Sequence, residues 1–206
     1  MIVGIVVGAG CVVFAALGLA DYISTTTTGP TKPADSVLTS TARPSEKNPG
    51  PVTADYTVAK DQPRQIKIPK LTIDAYIGRV GVGVDGAMAT PNNIYFAGWY
   101  VNSVTPGANG LSIINGHAGG RYEQGIFRHL GDLSAGDHFS VQMGDLSWRD
   151  FTVVSKAAYA VQDAGSALFH DDPSIARELH LITCDGVFDD HTQTYNQRMI
   201  VVARAE

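Results

Sequence analysis

LHLITCDGVFDDHTQTYNQRMIVVARAE (residues 179–206) holds two short apolar, β-branched runs separated by an acidic and polar interval. Runs of this length and composition predict strands rather than helices. The first ends on Cys184 and the second opens on Arg198, so neighbouring strands would bring the two side chains together. Upstream, QIKIP, LTIDAYIGRVGV, NIYFAGWY, LSIINGH, DHFSVQM and DFTVVSKAAYAV show the same alternation or β-branched character, punctuated by Gly, Asn-Asn, Pro-Gly and Gly-Asp signals. Eight short strands at such spacing predict a mainly all-β domain, a closed barrel or sandwich. Two helical stretches are expected within it, around residues 125–133 and 172–180.

The remainder of the chain differs in kind. Residues 2–20, IVGIVVGAGCVVFAALGLA, carry no charge and come close to the roughly 20 residues that cross a bilayer as a helix. No Lys or Arg precedes the run, and an uncleaved membrane anchor is expected rather than a signal peptide. Cys11, inside it, reads as a packed or lipid-facing residue. Residues 21–62 turn to Thr, Ser, Pro and Lys and read as a solvated tether. Residues 63–206 form the globular domain, so an anchored domain working near a membrane surface is expected.

Composition narrows the function. With 15 Lys+Arg against 20 Asp+Glu the net charge is -5, and no basic cluster marks a nucleic-acid binder. Two cysteines in segments of such different character exclude a disulfide framework. No spaced set of metal ligands completes the pair Asp189 and Asp190 beside His191, and GVGVDG (81–86) reads as a β-turn rather than a phosphate loop. No cofactor is implied.

Cys184 has two readings, a small buried hydrophobe or a nucleophile shown at a strand end. A nucleophilic thiol needs its thiolate, and a histidine is the usual aid. His117, in IINGHAGG, stands where an apolar strand gives way to a glycine-flanked turn, a position that holds a side chain rigidly yet leaves it exposed. His129, His138, His170 and His191 lie in polar stretches and are expected to be solvated. His180 shares the period-2 face of Cys184 but reads as a partly exposed strand residue. Arg198 offers a guanidinium to an oxyanion or a substrate carbonyl. Arg204 shares its parity near the chain end and is expected at the surface.

LITC with an acidic loop, an arginine-led last strand and an upstream strand-end GH resembles the sortases, cysteine transpeptidases of the Gram-positive cell surface. The family's Leu-x-Thr-Cys motif falls on Leu181, Ile182, Thr183 and Cys184, its histidine on His117 and its arginine on Arg198. The stretch 97–137, with Gly98, Trp99, Tyr100, Pro106 and Gly107 ahead of the histidine, looks most like class F. Asn115 stands where an apolar or small residue is commoner, Asp185 where many relatives have glycine, and YNQRMIVV departs from the frequent class F ending. The resemblance implies a sortase-type barrel. It also implies attack of Cys184 on the Thr–Gly bond of a Leu-Pro-x-Thr-Gly-like sorting signal of a secreted protein, and transfer through a thioester to a cell-wall amine. His117 would be the acid–base, Arg198 would stabilise or position, and Thr183 would shape the pocket. A silent surface-binding barrel and a cysteine endopeptidase or hydrolase stay open as alternatives.

Overall fold

The computed structural model describes residues 32, 33, 36–39, 43–83, 86–189, 191 and 194–206. The run 2–20, most of the early tether and Asp190 lie outside the described residues. Eight strands are present: β1 (Pro63–Ile68), β2 (Ile73–Val80), β3 (Ala97–Tyr100), β4 (Gly110–Gly116), β5 (His138–Met143), β6 (Trp148–Ala160), β7 (Arg177–Asp189) and β8 (Thr194–Ala205). They close a barrel in the order β1-β2-β3-β4-β7-β8-β6-β5. Each of the eight runs picked out in the sequence contributes one strand. Closure pairs every strand on both sides and leaves no edge exposed.

Alternation decides what lies inside. Ile66, Ile77, Trp99, Ile114, Val141, Phe151, Leu181 and Val201 all point into one core, where Phe139 stacks on Phe151 with ring centroids 5.3 Å apart. The opposite parity of β4, β7 and β8 puts Ile113, Ile182 and Ile200 on the outer face, under helix α1 (Val161–Leu168). That helix buries Ala164 and Leu168, an i, i+4 pair.

Both expected helices are corrected. In the stretch 125–133 only Leu130–Asp132 is helical, as a 3-10 turn. Phe127, Leu130 and Leu133 recur every third residue, the 3-10 period rather than the α period, and all three are fully buried in the core. In the stretch 172–180 the chain turns and enters β7 at Arg177. Glu178 and His180, two apart, there share one strand face beneath α1. The helix lies instead at Val161–Leu168, whose Gly165 and polar residues masked it in the sequence.

The later part of the segment expected as a solvated tether is packed on the barrel. Tyr56 is buried, and its hydroxyl donates to the Ile77 carbonyl at 2.6 Å. Its ring meets Tyr76 edge-on at 5.0 Å, and Tyr76 meets Phe96 at 5.6 Å. Arg64 donates to the carbonyls of Thr53 and Tyr56, and Ser45 bridges to Asn93. Aromatic residues and a buried arginine outweigh the local polar composition here.

Candidate active site

The β7–β8 ladder pairs Cys184 directly with Arg198. Directly opposed residues of an antiparallel pair have Cα atoms about 4.5–5.5 Å apart and side chains on the same face. On the other side of β7, the parallel β4 ladder sets Ile113 beside His180, Ile114 beside Leu181 and Asn115 beside Ile182. The same offset carried two residues further puts His117 level with Cys184. Thr183, one residue before the cysteine, faces inward, where its hydroxyl donates to the Gly116 carbonyl at 2.8 Å. That bond fastens the end of β4 to β7 at the level of the site. The register thus sets three residues far apart in sequence level with one another, Cys184 and Arg198 on β7 and β8 and His117 just past the end of β4.

Cys184 and His117 are each half-buried. Burial pushes the Cys184 thiol above its ordinary 9.0, with the Arg198 charge pulling the other way. Burial likewise pulls His117 below its ordinary 6.5, against the effect of its bond to Pro91. The His117 Nε2 lies 2.7 Å from the Pro91 carbonyl oxygen. A carbonyl only accepts, so Nε2 carries the proton and Nδ1 is the basic nitrogen of the neutral ring.

Arg198 is anchored by the start of its own strand. Its Nη1 donates to the carbonyls of Tyr195 and Gln197 at 2.9 and 2.8 Å, and its Nη2 to the Thr194 hydroxyl at 3.2 Å. A guanidinium has five N–H donors, so these three contacts leave capacity for a substrate oxygen.

Beside His117 opens a cavity of about 740 Å³, walled by Arg43, Pro44, Gly119, Gly120, Arg121, Phe188 and Tyr195. Cys184 is not part of that wall. Phe188 and Tyr195, facing each other across the β7–β8 hairpin, pack edge-on at 5.2 Å. The opposite wall is held by Glu46, whose carboxylate accepts the backbone N–H groups of Arg121, Tyr122 and Glu123 at 2.5, 2.9 and 3.0 Å. Burial opposes it, but these three donors and the Arg43 charge hold the Glu46 carboxyl below its ordinary 4.5.

The other histidines divide. His129, His138, His170 and His191 are exposed, as their polar surroundings imply. His180 is not partly exposed; it is 2% exposed, with Nδ1 2.9 Å from the Leu168 carbonyl and Nε2 2.8 Å from Glu178. It shares the outer face with Cys184, two steps along β7, but serves as a tie to α1. Arg204 is exposed near the end of β8. Among the described residues no group of three or more His, Cys, Asp or Glu side chains is arranged to hold a metal ion. Sequence reasoning missed Glu46, Pro91, Phe188 and Tyr195, because each acts through a contact that only the closed barrel creates.

A family model described as a sortase domain matches residues 66–206, about two thirds of the chain. Comparison with curated protein sequences finds no match. Among solved structures, sortase A from Corynebacterium diphtheriae, as a lid mutant, superposes with a TM-score of 0.54 at 20% identity, covering 70% of this chain and 69% of that one. Sortase C-1 from Actinomyces oris gives 0.51 at 20% identity, covering 69% and 72%. Clostridium perfringens sortase C, solved with the C-terminal cell wall sorting motif, gives 0.52 at 20% identity and 69% of each chain. Sortase A and sortase C fit about equally well, so the likeness does not single out a class. The match of the family model over the whole barrel, from β1 to the last residue, decides the matter: the chain belongs to the sortase family.

Proposed function

We propose that the protein is a cysteine transpeptidase that cleaves a Leu-Pro-x-Thr-Gly-like sorting signal between Thr and Gly and joins the carboxyl side to a cell-wall amine. The observation that carries this reading is the pairing of Cys184 with Arg198 across β7 and β8, with His117 one residue past the end of β4 and level with Cys184 when the β4–β7 offset is carried on. Family membership and the Clostridium perfringens relative solved with the C-terminal cell wall sorting motif support it.

In this mechanism the Cys184 thiolate attacks the Thr carbonyl carbon, and Arg198 donates to the oxyanion that forms. The C–N bond breaks as His117 delivers a proton to the leaving glycine nitrogen, leaving a thioester on Cys184. An incoming amine gives its proton to His117, attacks the thioester carbon and releases the thiolate. Thr183 shapes the site by fixing the Gly116 carbonyl. The class F resemblance, the apolar run 2–20 as a membrane anchor and an extracellular domain belong to the same proposal, on the sequence alone.

The test is incubation of the full chain, in detergent, with a Leu-Pro-x-Thr-Gly peptide and triglycine, read by mass spectrometry. The expected product is Leu-Pro-x-Thr joined to triglycine, absent with Cys184→Ala. Only free Leu-Pro-x-Thr acid, across a panel of amines, would make the protein a hydrolase. No turnover of any sorting peptide and no trapped thioester would favour a silent binding barrel.

A further inference from the structure

Asn115 is a buried polar residue in the outer face of β4, where its neighbours Ile113 and Ile182 are apolar. Its Oδ1 is buried without a hydrogen-bond partner among the described residues. An unpaired buried amide oxygen costs stability, so packing alone favours an apolar side chain at this position. What the carboxamide gains is one bond: Nδ2 donates to the Ala89 carbonyl at 2.8 Å. That carbonyl only accepts, which fixes which end of the amide faces it.

Two residues further on, the Pro91 carbonyl accepts from His117 Nε2. The spacer between these carbonyls is stiff. Pro91 has its φ set by the ring, and Thr90, preceding a proline, is confined to extended conformations. Asn115 and His117 therefore hold adjacent points of one rigid segment, itself tied by the Ala89 N–H to the Gly81 carbonyl at 2.9 Å. β3 makes room for the arrangement at Gly98, the register partner of Asn115. A Cβ on Gly98 would come within 2.5 Å of Asn115 Oδ1 and 3.1 Å of Pro91 Cγ.

We infer that Asn115 is a positioning residue for His117: it fixes residues 89–91 so that the Pro91 carbonyl holds the imidazole in its Nε2–H tautomer, with Nδ1 as the working base. The catalytic consequence rests on the transpeptidase reading above; the positioning itself does not.

The test uses the full chain in detergent, labelled with 15N-histidine, with His117 assigned by the signal lost in His117→Ala. Wild type should show His117 as the Nε2–H tautomer at neutral pH. Asn115→Asp keeps the shape but sets an acceptor against the Ala89 carbonyl, and Asn115→Ser is neutral and too short to reach it. Both should turn His117 into a mixture of tautomers while the other five histidines keep theirs. Transfer should lose about ten- to a hundredfold in kcat, at unchanged KM for the peptide. Pro91→Ala retains the accepting carbonyl but frees φ, and should mix the tautomers in the same way. A folded Asn115 variant, or Pro91→Ala, with a wild-type His117 signature would overturn the proposal, because loss of stability alone does not move a tautomer. A chain without transfer activity whose His117 still responds to Asn115→Asp and Asn115→Ser would sink the transpeptidase reading and leave the positioning role standing. Transfer with an unresponsive His117 would do the reverse.

Discussion

Cys184 and His117 both rest in their neutral forms, because burial disfavours the thiolate and the imidazolium alike. The reactive thiolate–imidazolium pair holds the same number of protons as the neutral pair, so it is a small and constant fraction between the two titrations. For kcat/KM this predicts a flat-topped profile. Its acid limb lies below the ordinary histidine value of 6.5 and its alkaline limb above the ordinary thiol value of 9.0. The acid limb is protonation of His117 while Cys184 is still a thiol, and the alkaline limb is loss of the second proton. An acid limb well above 6.5 in the free enzyme would contradict the burial argument. Among the described residues, Arg198 is the one charge that lowers the Cys184 thiol. Arg198→Ala should therefore push the alkaline limb higher and reduce kcat/KM by about 10²–10³-fold, the usual loss for an oxyanion donor. Arg198→Lys keeps the charge but not the fork that grips the carbonyls of Tyr195 and Gln197. It should restore the limb more fully than the rate, which a pH series on the three proteins would show.

The register between β4, β7 and β8 builds the site, and a buried hydrogen-bonded pair ties β7 to what covers it. His180 and Glu178 are both 2% exposed and 2.8 Å apart; His180 donates to the Leu168 carbonyl at the end of α1, and Glu178 accepts the Asp172 N–H at 2.8 Å. Removing one partner leaves the other buried and uncompensated. Glu178→Ala should lose about 1–3 kcal/mol in urea unfolding, the cost of a buried donor left without its acceptor, and the double change to leucine at Glu178 and His180 should lose less. Equal losses would mean that the pair acts only through its packing. This pair also shows where sequence reading ends. The strands, and His117 just past the end of β4, were legible because alternation and turn residues are local. Cys184 and Arg198, expected at a strand end and a strand start, lie instead inside β7 and β8, whose ladder runs on into the acidic and polar interval. His180 was read as partly exposed, and the stretch around it as helix, because its partners are an acid on its own strand and a carbonyl 12 residues away. Pro91, which sets the His117 tautomer, is 26 residues from it and carried no local signal.

The boundary of the folded unit is the largest difference from expectation, and it bears on how the whole molecule works. Thr, Ser and Pro content marked residues up to 62 as tether, yet Tyr56 is 5% exposed and Glu46 ties the chain to the loop that follows His117. Residues 43–62 are thus a strap across the barrel that also builds one wall of the site. A chain beginning at Arg64 keeps all eight strands, β1 from its second residue on, but loses the strap. It exposes Tyr76 and Phe96, strips Arg64 of its carbonyl partners at Thr53 and Tyr56, and frees the backbone N–H groups of residues 121–123. Burial of one large side chain is worth about 1.5–3 kcal/mol, and each net hydrogen bond about 1. The shortened chain should therefore be at least ~3 kcal/mol less stable than one beginning at Lys32, read as a lower Tm and urea midpoint. Its peptide KM should rise as well, because the wall formed by Arg43 and Pro44 is gone. Identical melting of the two chains would return residues 43–62 to the tether. A lower Tm with unchanged KM would make the strap a brace for the barrel alone.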